Sequence, residues 1–353
     1  MQILVVGNGN YKGHGARYYD FTRKLINGFT RNGHNVYFMS DRDTSREGTI
    51  FRSRKLGAGY TNRVFLETCR NVRPDLIVLV HAFILHNESL LEAREMLPRA
   101  KIIQLNVDAL FVHYNVTRIA GPAQVCDATF VTTGGSILKS FASPQGVACF
   151  IPNPVDPSMD WPRCHEHSDQ PHDVFWAMGK SGTDDPEDPR FALPLFLERS
   201  NRVSIDYYGL NGRALIEGAL FYQKISEAKM GLNLNKTRHE MRPIARTDSI
   251  YLYSSDRIAQ YMGSGLLTFC QRGFALEELF VEDKEAVYFA SKEELLDKVV
   301  YFKSHDDERR AIAGAGWEKS HRQLNERIVA QYVIEVAFRQ PLSHSYAWPT
   351  QTY

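Results

Sequence analysis

Long hydrophobic runs are missing from this 353-residue sequence. No apolar stretch approaches the roughly 20 residues an α-helix needs to cross a bilayer, so an α-helical membrane protein is excluded. An excess of one charge is missing too. Lys and Arg total 42 against 41 acidic residues; so balanced a chain has no global field to gather nucleic acid, and no nucleic-acid partner is expected. Cysteine is scarce: Cys69, Cys126, Cys149, Cys164 and Cys270 stand at no metal-like spacing. That pattern speaks against a zinc framework and for free thiols in a reducing compartment. The chain opens directly on Met1-Gln2-Ile3-Leu4-Val5-Val6, without the basic segment and apolar core of a secretory leader. A cytoplasmic setting is the expectation.

What the chain does have is alternation. Residues 3–6 are a short apolar strand ending at Gly7, and the polar loop Gly7-Asn8-Gly9-Asn10-Tyr11-Lys12-Gly13-His14-Gly15 follows. Tyr18, Phe21, Leu25, Ile26 and Phe29 recur at helical spacing, Asn32-Gly33 stops that helix, and 36–39 is the next strand. Further strands are expected over 76–80, 101–105, 128–131 and 148–151, with helices near 62–72, 88–97 and 136–142. Short continuous apolar strands separated by helices indicate a parallel sheet covered on both faces. Pro152, Pro154, Pro157 and Pro162 then break the pattern, and a polar run extends the break to Asp173.

The alternation resumes with strands expected at 174–178, 203–208, 230–234, 266–269 and 286–289. Helices are expected at 221–229 and 256–262, and the capping box Ser291-Lys292-Glu293-Glu294 opens another through about Phe302. Ile328, Val329, Tyr332, Val333 and Val336 mark a long amphipathic C-terminal helix. The length exceeds what one core usually serves. The expected domains are therefore 1–155, Rossmann-like; a linker over 156–172; a second Rossmann-like domain over 173–335; and a tail, 336–353, packing back on the first domain.

In doubly wound sheets ligands bind beyond the carboxyl ends of the strands, so the loops after strands are where chemistry is sought. In the 7–15 loop, glycines let backbone amides approach a ligand, and the next helix's N-terminus favours an anion. As a dinucleotide fingerprint the loop fails: after Gly7 and Gly9 the third glycine belongs at position 12, which is Lys12. Gly9, Gly13 and Gly15 are better read as shaping the acceptor side of a cleft. The second candidate spans 229–265. It combines Asn233, Asn235, Lys236, Arg238, Arg242 and Arg246 with Tyr253, Ser254, Ser255, Asp256 and Arg257. Ser254, Ser255 or Asp256 can cap the helix beginning there, leaving amides for a phosphate. Arg257 can reach diphosphate oxygens in a bidentate contact. Asp256 would repel phosphate and suits capping or a sugar hydroxyl. An ordinary capped helix beside a solvated basic loop is the structural alternative.

The run Lys229-Met230-Gly231-Leu232-Asn233-Leu234-Asn235, with the stretch from Tyr253 to Phe269, resembles the donor-domain signature of group 1-type glycosyltransferases. The likeness is nearest to the branch holding the CgeB-like spore-coat proteins and many bacterial envelope glycosyltransferases. The helix-strand unit from Met262 through Thr268 is its most specific part, and Phe150-Ile151-Pro152-Asn153-Pro154-Val155-Asp156 resembles the segment leading into the interdomain linker. The resemblance covers roughly 173–335 and implies a GT-B fold: two Rossmann-like, doubly wound parallel-sheet domains facing a central cleft. It implies a nucleotide-diphosphate sugar as co-substrate, a glycan or lipid-linked hydroxyl acceptor, and no cofactor or essential metal. Gly179-Lys180 falls where a basic residue often meets the diphosphate. Gln260 stands where many relatives carry a Glu, which removes a charge that two-glutamate retaining enzymes use.

Inversion needs a base for the acceptor hydroxyl. The candidates are Asp108, just past a strand in Gln104-Leu105-Asn106-Val107-Asp108, then His14 and His81; each residue type is also common in structural roles. Asp41-Arg42-Asp43 has DXD spacing, and Cys164, His165, His167 and His172 cluster in sequence, but neither set is read as a metal site. The basic and aromatic stretch Tyr11-Lys12 through Arg17-Tyr18-Tyr19, and Arg52-Ser53-Arg54-Lys55, can meet an anionic lipid surface at the inner face of the membrane or be plain solvated faces. Two other readings stay open: a non-catalytic GT-B binder of nucleotide sugar or glycan, and a Rossmann oxidoreductase or epimerase, which the broken fingerprint disfavours.

Overall fold

The computed structural model describes residues 1–179, 187–235 and 248–353. The described residues divide into two compact units. The first comprises 1–152, 248–250 and 326–353, and the second the rest.

In the first unit the elements run β1 (Gln2–Gly7), α1 (Phe21–Arg31), β2 (Asn35–Ser40), α2 (Asp41–Glu47), α3 (Ala58–Val72), β3 (Leu76–Val80), α4 (Asn87–Met96), β4 (Lys101–Asn106), α5 (His113–Ala123), β5 (Ala128–Val131) and β6 (Val147–Phe150). All pair in parallel in the order β2-β1-β3-β4-β5-β6. The central strands β1 and β3 are apolar on both faces because helices cover both sides, as parallel sheets require. The segment 136–141, expected as a helix, is 3₁₀.

The second unit runs β7 (His172–Ala177), α6 (Pro189–Arg199), β8 (Ile205–Tyr208), α7 (Ala219–Ser226), β9 (Ala228–Asn233), α8 (Asp256–Gly263), β10 (Leu267–Gln271), β11 (Val287–Phe289), α9 (Lys292–Ser304) and α10 (Asp306–Gln323). Its sheet is also parallel, in the order β11-β10-β9-β7-β8. A core of Trp176, Met230, Leu232, Phe269, Leu295, Val299 and Ile312 fills the space between sheet and helices.

Two boundaries differ from expectation. The helix α11 (Glu326–Ala337), expected inside the second domain, belongs to the first unit, where it packs on α1. Gly28 makes the crossing possible: a Cβ there would lie 2.1 Å from the Glu326 carbonyl oxygen. The 339–353 tail also lies in the first unit, where Ala148 and Tyr353 exchange backbone hydrogen bonds of 3.0 and 2.9 Å. The proline-rich segment is no loose linker but part of the second unit. Val155 N–H donates to Leu324 (3.0 Å), and Tyr222 donates its hydroxyl to Asp160 (2.6 Å). Prolines deny this stretch regular structure, so side chains and stray backbone groups anchor it instead.

Candidate functional site

The second sheet reverses its winding between β7 and β9: the chain goes from β7 outward to β8, then returns to the other side of β7. Ligands of open α/β sheets bind beyond the carboxyl ends of the strands at such a point. Gly179 lies exposed just past β7, and Leu234 and Asn235 follow β9. The half-buried Arg257, in the first turn of α8, ties these ends together. Its guanidinium sits 4.4 Å over the Trp176 ring, and Nη1 donates to the Leu234 carbonyl at 2.5 Å. One face of a planar cation is thereby fixed, and its other donors remain in a set position.

The serines before α8 do not cap it, contrary to the sequence expectation. Ser255 donates its hydroxyl to Asn233 Oδ1 (2.9 Å). Ser254 Oγ accepts from the Asn153 amide (3.2 Å), and Asn153 Nδ2 donates to the Ser254 carbonyl (2.7 Å). The first amides of α8, at the positive end of the helix dipole, therefore carry no side-chain cap among the described residues. Asp256 is exposed in the first turn of α8. Two further donors are buried without a partner among the described residues, Asn235 Nδ2 and Trp176 Nε1. Tyr253 is held by its amide to the Phe274 carbonyl (3.1 Å), and Gln260 is buried within α8. The Tyr261 hydroxyl accepts from the Ala177 amide (3.4 Å), and burial pushes its acidity well below that of a free phenol. Lys180, Lys236, Arg238, Arg242 and Arg246 lie outside the described residues.

Trp176 was not singled out from the sequence, and Asn153 entered only as part of the run from Phe150 to Asp156. A Trp inside an apolar strand reads as core, which Trp176 also is, and an Asn between two prolines reads as loop. The one usable signal was position: both stand where a strand gives way to irregular chain.

In the first unit the 7–15 loop departs from the expected anion cradle. The helix after it begins only at Phe21, and Asp20 already caps it by accepting from the Arg23 amide (3.0 Å). A carboxylate thus holds the end of α1 where a phosphate would bind; burial raises its pKa. The loop instead walls a polar and aromatic cavity of about 280 Å³, whose lining includes Asn8, Gly9, Tyr11, Gly15, Arg17 and Tyr18. Gly9 and Gly13 are close approaches: a Cβ would lie 2.6 Å from the Tyr11 ring and 2.5 Å from Asn10 Nδ2, respectively. His14 is exposed in this loop and does not line the cavity.

The other two base candidates meet. His81, past the end of β3 with a left-handed φ of 50°, accepts the Val107 amide at Nε2 (3.2 Å). That bond assigns the imidazole proton to Nδ1, which faces Asp108 Oδ2 at 3.6 Å. Asp108 follows β4, its amide donating to Asn106 Oδ1 (2.8 Å), and its carboxylate is about half exposed. Of the pair, Asp108 is the group a substrate can reach.

Asp41 and Asp43 have separate surroundings. Asp43 is engaged by Ser40, Arg46 and the Tyr11 amide. Asp41 is fully buried, and burial raises its pKa to about 6. The Arg42 and Ile84 amides face it without completing hydrogen bonds. Cys164 is also buried, its thiol on the Ile225 carbonyl at 3.5 Å, while His165 lies against Trp317.

Against solved structures, the chain matches sucrose-phosphate synthase of Thermosynechococcus elongatus with a TM-score of 0.59 and 12% identity, over 96% of this chain and 98% of that one. HepE of Anabaena, solved with UDP and glucose, matches with a TM-score of 0.60 and 11% identity over 95% and 98%. The lipopolysaccharide outer core galactosyltransferase WaaB matches at 0.55 and 10% over 96% and 99%. The fold is GT-B. No curated protein matches the chain in sequence. The profile of the glycosyl transferase-like family matches residues 195–335. The matched stretch runs from within α6 into α11 and contains the uncapped α8 and Arg257. No described helix is long and apolar enough to cross a membrane.

Proposed function

We propose that the protein transfers a sugar from a nucleoside diphosphate donor to a hydroxyl of a glycan or lipid-linked acceptor. The observation carrying this reading is Arg257 locked by Trp176 and Leu234 beside the uncapped N-terminus of α8. A leaving diphosphate develops charge as the glycosidic bond breaks, and fixed cations and amides aimed at it lower the barrier without reorganising. Arg257 and the α8 amides fill that role, and Asn235 offers a further donor; Lys180 and Lys236, outside the described residues, are the further cations that the sequence offers. Asp256 takes a sugar or ribose hydroxyl, because its charge would repel phosphate. No metal is assigned, since Arg257 and the α8 amides answer the leaving-group charge. HepE, solved with UDP and glucose, supports a nucleotide sugar as the donor class. WaaB, a lipopolysaccharide galactosyltransferase, supports envelope polysaccharide or lipopolysaccharide synthesis as the setting.

In the first unit, Asp108 takes the acceptor proton, with His81 Nδ1–H steadying it, and the aromatic and amide-lined cavity behind the 7–15 loop suits a sugar acceptor. The test is calorimetric titration of nucleoside diphosphates, uridine diphosphate first, into wild type and Arg257→Ala. Loss of a charge-assisted hydrogen-bond pair should weaken affinity roughly 10- to 100-fold, with Arg257→Lys intermediate. Equal affinity in wild type and Arg257→Ala would remove the assigned site.

A further inference from the structure

Between α2 and α3 the first unit carries a turn whose composition folding does not explain. The Arg52 amide donates to the Thr49 carbonyl (3.0 Å), closing a β-turn with Ile50 and Phe51 at its centre and a left-handed Arg52 after them. Central turn positions ordinarily go to Gly, Pro, Asn, Asp or Ser. Here two large apolar side chains occupy them, 97% and 84% exposed, and Leu56 beyond the turn is 69% exposed.

The segment is pinned from below. Thr49 Oγ1 accepts the Ser53 amide (2.9 Å), Ser45 donates its hydroxyl to the Arg54 carbonyl (2.7 Å), and the Gly57 amide reaches the Ser53 carbonyl (3.0 Å). Gly57 sits so close to α2 that a Cβ would be 1.7 Å from the Ser45 carbonyl oxygen. The apolar tip is therefore held outward by a fixed base.

Charge completes the pattern. Between Glu47 and Glu67 there is no acidic residue, while Arg52, Arg54, Lys55 and Arg63 fall within that stretch. Arg52, Arg54 and Lys55 are exposed. Exposed aliphatic and aromatic groups ringed by cations match an anionic lipid surface: the apolar groups enter the acyl boundary, and the cations stay with the phosphates. We infer that the 49–56 turn docks the first unit on an anionic bilayer by inserting Ile50 and Phe51. This inference does not depend on the transferase reading, because lipid binding requires no donor.

The experiment sediments the full chain with vesicles of phosphatidylcholine alone and of phosphatidylcholine mixed with phosphatidylglycerol. Binding is expected to the mixed vesicles only and to weaken with salt. Ile50→Ser/Phe51→Ser should abolish it, and Arg54→Gln/Lys55→Gln should weaken it about fivefold for each cation. Phe51→Trp should shift its emission to the blue on binding and be quenched by brominated acyl chains. The altered side chains are exposed, so melting temperature and nucleoside diphosphate affinity should match wild type; that keeps a failure here separate from a failure of the donor site. No binding to the mixed vesicles overturns the proposal, as does undiminished binding by Ile50→Ser/Phe51→Ser. Self-association of wild type that this double variant loses would also overturn it, assigning the turn to a second copy of the chain.

Discussion

At the scale of single residues, the account rests on groups whose surroundings fix what they can do. Asp108 differs from His81 in access: the histidine is committed through Nε2 to the Val107 amide, whereas the carboxylate is about half exposed. Asp108→Asn should lower kcat for transfer about a hundredfold or more if it is the base, while nucleoside diphosphate affinity stays at the wild-type value. A full transfer rate in the variant would take that role from it. Asp41 gives a pH prediction. Its folded-state pKa of about 6 lies above the ordinary 3.8, so the folded chain binds the proton more tightly than the unfolded one. The protonated group costs nothing below about pH 4, and stability falls as pH rises from there through 6, by on the order of 3 kcal/mol. Asp41→Asn should flatten urea-melt stability across that window; an unchanged profile would mean that the buried carboxyl does not control it.

Among residues, Arg257, Asp108 and Asn235 were open to proposal from the sequence, Asp108 and Asn235 because they follow strands and Arg257 because it stands where a helix begins. Their partners were not. Trp176 and Asn153 matter through contacts made across the fold, which their places in the sequence do not reveal. Capping by Ser254 or Ser255 was expected from residue type alone; the Asn233 side chain takes the Ser255 hydroxyl, and the Asn153 backbone amide takes that of Ser254.

At the scale of elements, strands were legible and several helices were not. The central strands β1 and β3 carry unbroken apolar runs, so they stand out. By contrast α10 has no large apolar stripe, because it packs through small residues: a Cβ on Gly316 would lie 2.4 Å from the Glu285 carbonyl oxygen. Its anchor is polar, the fully buried Arg309 donating to the Lys229 and His167 carbonyls at 3.2 and 2.8 Å. The α5 helix was hidden by Gly121-Pro122 in its last turn. The same small-residue logic governs the crossing of α1 and α11. Gly28→Ala should destabilise the first unit by about 2 kcal/mol, since the displaced atom is backbone and cannot rotate away. Chemical denaturation followed by fluorescence reads this directly, and a neutral result would refute the close crossing.

At the scale of the whole molecule, two doubly wound sheets were readable from alternation and length, but the unit to which each segment belongs was not. The final helix continues the second unit in sequence and joins the first in space; its apolar stripe says that it packs, not on what. The same limit applies to function. Arg257 at the start of α8 suits the proposed diphosphate in a transferase and in a binder alike. The decisive measurement is a crystal structure with a nucleoside diphosphate sugar. The diphosphate is expected within hydrogen-bond distance of Arg257 and the first amides of α8. Nucleotide seated against the 7–15 loop, with Arg257 untouched, would contradict it.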